Sequence, residues 1–134
     1  MLKLEIVTPE RKLIDAEVDS VTVPTASGEA GILANHAPLI SALKPGVLSY
    51  TAKGTSDSLA VSSGFVEVNS NVVSVLTDLA ETPDEIDTVR ARQDKEEADK
   101  ELSAAAAVPI EETADIRERI EFAQAKLDLA RKSS

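Results

Sequence analysis

The first eighty residues alternate between apolar and polar positions. Leu2, Leu4 and Ile6 share one face of a strand that Thr8-Pro9-Glu10 ends. Val21-Thr22-Val23 forms another, stopped by Pro24, and Gly46–Tyr50, Leu59–Val61, Phe65–Val68 and Val72–Leu76 follow. Turn residues separate these runs: Ser27-Gly28, Pro45-Gly46, Lys53-Gly54, Ser63-Gly64 and Asn69-Ser70-Asn71. Short β-branched runs between turn signals, at a spacing of roughly 8–12 residues, predict an antiparallel sandwich or flattened barrel.

After Ala80 the pattern changes. Glycine disappears, and Ala, Glu, Asp, Lys, Arg and Leu dominate, all but Asp good helix formers. Thr82-Pro83-Asp84-Glu85 reads as a helix start, with Thr82 as cap, Pro83 at the first helical position and Glu85 completing a capping box. This first helix is expected to end between Leu102 and Ala107, before Pro109. Glu111 and Glu112 suit the positive end of a second helix. There Ile116, Ile120, Ala123, Leu127 and Ala130 recur at steps of four, three, four and three, a heptad-like apolar stripe. The predicted class is α+β: an N-terminal antiparallel β-sandwich over residues 1–82, then a C-terminal two-helix hairpin over 83–134. Large apolar residues are sparse in the hairpin, so it needs docking on the sandwich or on a partner to offset its ordering entropy.

Composition narrows the function. The 134 residues suffice for one small domain with an appendage. A formal net charge of −10 repels phosphate backbones and anionic lipid surfaces, which argues against nucleic acid and direct membrane insertion. No run approaches the roughly 18–20 apolar residues of a membrane helix. Acid and base interrupt Met1-Leu2-Lys3-Leu4-Glu5, so it does not read as a signal peptide. Phe65, Phe122 and Tyr50 are the whole aromatic set, too few for a base- or sugar-stacking platform. Without cysteine there is no disulfide framework and no thiolate chemistry.

Candidate chemistry is thin. His36 is the single histidine, and the nearby Asn35 and Ser41 make no recognised nucleophile arrangement with it. A zinc site would have to be built almost wholly of carboxylates. Gly28-Glu29-Ala30-Gly31 lacks the Gly-Lys-Ser/Thr of a phosphate loop and reads as a tight hairpin. Asp94, Glu96, Glu97, Asp99 and Glu101 alternate with Lys95 and Lys100 as a solvated helix face, without a calcium-loop pattern. The residues therefore point to a protein that binds other proteins, with no catalytic residue and no metal. A free-standing adaptor module and a small hydrolase built on His36 are the competing readings.

One segment is more specific. Gly28-Glu29-Ala30-Gly31-Ile32-Leu33-Ala34-Asn35-His36-Ala37-Pro38-Leu39 resembles the G-x-x-G-I-L-P-x-H-A-P-L motif of the epsilon subunit of the rotary proton-translocating ATP synthase, called delta in mitochondria. Leu2–Pro9, Ser63–Val68 and Val73–Glu81 are similar to other strands of that family, and Ile86-Asp87-Thr88-Val89-Arg90-Ala91 to its I-D-x-x-R-A motif, all in register. The resemblance implies a rotor subunit. Its sandwich would bind the foot of the gamma shaft and stand on the ring of c subunits. Its helices would fold on the sandwich or extend toward the catalytic alpha/beta head and inhibit ATP hydrolysis. The complex would lie peripherally on the cytoplasmic face of the bacterial inner membrane. Glu29 matches the acidic residue expected to face the c ring, and His36, with Gly31 and Pro38, the expected gamma and c contact. Asp87 and Arg90 match an ATP-sensing motif. Ala34 replaces a usual Pro, and Thr82 an Arg common before the hairpin. Where ATP-binding members carry further arginines this chain has Glu97, Gln124 and Asp128, so no cofactor and no tight triphosphate binding is expected.

Overall fold

The computed structural model describes residues 1–133, with side chains through Arg131. Ten strands come first: β1 (Leu2–Val7), β2 (Lys12–Val18), β3 (Ser20–Thr25), β4 (Gly28–Leu33), β5 (Leu39–Leu43), β6 (Gly46–Ala52), β7 (Thr55–Val61), β8 (Gly64–Asn69), β9 (Val72–Thr77) and β10 (Ala80–Glu81). They pair in the order β10-β7-β6-β3-β5-β8-β9-β1-β2, with β4 added to β3. Every pairing is antiparallel except β1 with β9, which run side by side in the same direction.

Alternation along these strands fills the interior. Leu2, Leu4 and Ile6 of β1 are fully buried, as are Val18, Val23, Ile32, Leu48, Val61, Val66, Val73 and Val75. This main core draws on no residue beyond Ala80, so the sandwich closes without the helices. Pro24 does not stop β3. It sits within the strand opposite Glu29, and its carbonyl accepts from the Lys44 N–H at 2.9 Å. A proline is tolerated where no ladder donor is needed.

Two α-helices follow, α1 (Thr88–Ala104) and α2 (Ala114–Ser133). The cap at Thr82 starts only a single turn of 3-10 helix, Pro83–Glu85. A Glu85 carboxylate oxygen accepts from the Thr82 N–H at 3.0 Å and from its hydroxyl at 2.9 Å. Ile86 is then extended, and Asp87 caps α1 afresh, its Oδ1 accepting from the Arg90 N–H at 3.1 Å. The break has a packing reason. It lets the Ile86 side chain join Val47 against a second apolar cluster, Ala60, Phe122, Ala125 and Leu129, that holds α2 on β6 and β7.

In the predicted stripe on α2, Ala123 is buried and Ile116, Ile120, Leu127 and Ala130 are half-buried. The more deeply buried face, Phe122-Ala125-Leu129, is centred about 150° around the helix axis from it, on the nearly opposite side. α1 packs along α2, and the residues it buries are Ala91 and Ala98. Burying an alanine methyl contributes about 0.8 kcal/mol, against about 1.5–3 kcal/mol for Phe or Leu. α2 is therefore the anchored helix, and α1 is held through small contacts.

Candidate functional site

The motif segment occupies the β3–β4 hairpin, β4 itself and the loop into β5. Gly28 has φ +115, a value that L side chains rarely adopt, which lets the hairpin reverse immediately after Ala26-Ser27. Glu29 is exposed and pairs in register with Pro24. Gly31 is exposed in mid-strand opposite Thr22, and Ile32 turns into the core. The chain then emerges: Leu33, Ala34, Asn35, His36, Ala37 and Pro38 are all exposed.

β4 therefore separates Glu29 from His36. With about 3.3 Å of rise per residue, the four steps from Glu29 to Leu33 alone span about 13 Å. Glu29 lies at the hairpin end and His36 at the far end, beside the β8–β9 turn, so the two face different surroundings. The loop is pinned at that far end. Asn35 has φ +65, and its N–H donates to Asn71 Oδ1 at 2.6 Å. The His36 N–H donates to the Leu33 carbonyl at 3.2 Å, and His36 Nδ1 lies 2.7 Å from the Ala37 carbonyl oxygen. Pro38 and Ile40 line a shallow groove with Glu67 and Asn69.

A second feature was not anticipated by the strand pattern. Ala42, Phe65, Leu76 and Val7 stand in register across β5, β8, β9 and β1. Phe65 and Leu76 are 59% and 56% exposed, and Leu79 and Ile40 are exposed nearby. An open groove of about 640 Å³ runs over this row, edged by Pro9, Asp78 and Glu118. Apolar side chains gathered on an outward sheet face make this strip a candidate interaction surface. The available signal was an aromatic and a leucine at outward positions of their strands. Gly64 sets the row's geometry: a Cβ there would overlap the Leu76 carbonyl, so only glycine lets β8 lie this close to β9.

Polar contacts tie the turn before α1, and α2, to the sandwich. Arg11 Nη2 reaches both Glu85 oxygens, at 2.8 and 3.0 Å. Lys126, buried on α2, places Nζ 3.3 Å from Glu81 and 4.7 Å from the centre of the Phe122 ring. Ser63 Oγ donates to Glu118 at 3.2 Å. The hydrogen bonds from Thr82, followed by the Arg11 guanidinium, hold the Glu85 carboxyl below its ordinary range.

The residues of the ATP-sensing motif are placed as follows. The Asp87 carboxylate is engaged as the α1 cap, and Arg90 is exposed on the first turn of that helix. Glu97 is exposed on α1. Gln124 Nε2 donates to Asp128 Oδ1 at 2.8 Å, and the same oxygen accepts from Arg131 at 2.7 Å. Gln124 lines two clefts beside α2, one with Lys44, Lys95 and Asp128, the other with Thr88, Arg92 and Arg131; Asp87 and Arg90 line neither. Among the described residues there is no group of three or more His, Cys, Asp or Glu that could hold a metal ion, and no helix is long and apolar enough to cross a membrane.

Residues 1–83 match the family model described as the β-sandwich domain of the ATP synthase delta/epsilon chain. An ATP synthase epsilon chain of Carboxydothermus hydrogenoformans is 47% identical over 102 residues, 76% of each chain. One from Halalkalibacterium halodurans is 41% identical over 130 residues, 97% of this chain and 90% of that one, so the similarity extends through the helices. Among solved structures, a chain of the Euglena gracilis mitochondrial ATP synthase, in an assembly of OSCP, F1 and c-ring, superposes with a TM-score of 0.77 at 26% identity, covering 97% of this chain and 81% of that one.

Proposed function

The chain belongs to the delta/epsilon family of ATP synthase chains, and from that premise we propose that it is the non-catalytic epsilon-type rotor subunit of a proton-driven ATP synthase, joining the c ring to the gamma shaft and restraining ATP hydrolysis through its helices. The observation that carries the reading is the Phe65–Leu76 row. It is an exposed apolar strip on a sandwich whose core is already complete without it. Such a strip fits a subunit that is covered by a protein partner in its assembly.

The outward face of β5, β8 and β9, which carries the apolar row, and the Ala34–Pro38 loop with His36 at one end of that face take the foot of gamma. Glu29, at the opposite end with Gly31 behind it, faces the polar loops of the c ring. The chain reaches the bacterial membrane through that ring, peripherally and on the cytoplasmic face, since a net charge of −10 disfavours contact with anionic lipid.

The hairpin is the regulatory part. α1 is held by alanines, and α2 by one small apolar cluster and two polar ties to the sandwich. That contact is small enough for two positions to differ by a few kcal/mol, the range in which a competing partner such as the alpha/beta head can redistribute them.

Co-purification tests the assignment. The tagged full-length chain is expected to bring down gamma and the c subunit from solubilised membranes, and a variant with Phe65→Glu and Leu76→Glu is expected to lose gamma. Recovery of neither subunit by the unaltered chain would overturn the assignment and leave a free-standing adaptor.

A further inference from the structure

Two loops that are far apart in sequence meet at the His36 end of the sandwich. The β4–β5 loop reaches it as Ala34–Pro38, and the β8–β9 turn as Ser70-Asn71. Asn71 joins three segments there. It has φ +63 in a two-residue turn, its carbonyl accepts from the Lys3 N–H at 2.9 Å, and its side-chain oxygen accepts from the Asn35 N–H at 2.6 Å. Backbone and side chain have separable tasks. The carbonyl and the left-handed φ belong to the turn, whereas the carboxamide reaches out to the loop.

The carboxamide bond falls at the point where the loop most needs it. Asn35 is itself left-handed, at φ +65, a conformation that asparagine reaches more readily than other non-glycine residues but that competes with the right-handed and extended regions unless a contact selects it. Local turn contacts follow it, from the His36 N–H to Leu33 and between His36 Nδ1 and Ala37. Every residue from Leu33 to Pro38 is exposed, so no core contact fixes the loop. The Asn71 carboxamide supplies the long-range constraint, from 36 positions away.

We propose that Asn71 is a positioning residue for partner docking: its side-chain oxygen locks Asn35 in the left-handed conformation and so presets the way His36 and Pro38 are offered to the partner subunit. The proposal rests on the reading above, in which this loop docks on gamma. A loop preset in its bound shape avoids part of the ordering cost of association. Loss of one neutral hydrogen bond should then appear as a change of about three- to tenfold in both loop opening and affinity.

Three full-length variants test it. Asn71→Gly keeps the left-handed turn and the carbonyl but removes the acceptor. Asn71→Asp keeps both the turn and the acceptor. The paired change His36→Ala with Pro38→Ala tests the loop's docking directly. Amide hydrogen exchange at Asn35 is read in the isolated chain, and affinity is read against purified gamma. Asn71→Gly should speed exchange at Asn35 and weaken gamma binding, each by about three- to tenfold, while Asn71→Asp restores both. Unchanged exchange in Asn71→Gly would overturn the positioning role. Faster exchange with unchanged affinity, where the paired loop change does weaken binding, would overturn the link to docking. If the paired change leaves affinity intact as well, the docking reading of the loop fails with the inference.

Discussion

Arg11 and Glu85 stand 74 positions apart, yet one Arg11 guanidinium nitrogen bridges both Glu85 oxygens, at 2.8 and 3.0 Å. Arg11 belongs to the turn between β1 and β2, and Glu85 to the short turn that leaves the sandwich. With β10 paired to β7, this contact fastens the chain to the sandwich as far as Glu85. α1 begins at Thr88 under its own cap. Ile86 and Asp87, both extended, link this fastened part to α1, and the proposed regulation makes them the hinge.

Glu85 should report this fastening by its titration. Its carboxyl is held low chiefly by the Thr82 hydrogen bonds and then by Arg11. A depressed folded-state pKa stabilises the fold fully above the ordinary carboxylate range, near 4.3, and the contribution is lost as pH falls through the folded value. In Arg11→Gln, carboxyl NMR titration should show the Glu85 midpoint moving up while staying below the ordinary range, because the Thr82 bonds remain. An unmoved midpoint would show that the ion pair is absent in solution.

Phe122 should hold the hairpin without holding the sandwich. Its ring is buried with Ala60, Ala125 and Leu129, and the main core includes none of these residues. Phe122→Ala is expected to cost about 3 kcal/mol at this contact. Hydrogen exchange should then rise across α1 and α2 and stay unchanged in β1, β8 and β9. Uniform acceleration would mean that the two parts unfold as one.

Glu29 and His36, at opposite ends of β4, should report different neighbours. In the assembled complex Glu29→Cys should crosslink to a cysteine in the polar loop of the c subunit, and His36→Cys preferentially to gamma. Crosslinking of Glu29→Cys only to subunits of the catalytic head would contradict the proposed orientation.

The isolated chain should not bind ATP tightly. By the family resemblance Glu97 and Asp128 stand where ATP-binding members carry arginines, and the Asp87 carboxylate is already engaged as a helix cap. At an effective dielectric near 20, a like charge at about 4 Å opposes binding by roughly 4 kcal/mol before screening. Titration calorimetry should show no saturation below about a millimolar. A micromolar dissociation constant would refute the charge argument.

Much of this was legible in the sequence, for a physical reason. β1, β3 and β6 to β9 carry β-branched residues on a buried face, and alternation exposes them. β2 is an edge strand with Lys12, Asp15 and Glu17 among its residues, so charge masks its period. β4 contains two glycines, and β5 begins directly after Pro38. At Thr82 a real capping signal was read as the start of a long helix. Asp87, five residues later, caps α1, and the extended Ile86 between the two caps packs beside Phe122. Across the proposed docking surface, the motif residues are visible as a string. The Phe65–Leu76 row and the Asn35–Asn71 bond are not, because both join distant strands and depend on register.

The central claim, that the sandwich couples and the helices regulate, is tested most directly by reconstitution. A complex lacking this chain would be completed with either the full-length chain or residues 1–86, a truncation that keeps β10 and the Arg11–Glu85 contact. Proton-coupled ATP synthesis and ATP hydrolysis would be measured on the same vesicles. The account predicts that the truncated chain supports synthesis and that hydrolysis rises. Loss of synthesis or assembly with the truncated chain, or hydrolysis equal to that with the full-length chain, would contradict it.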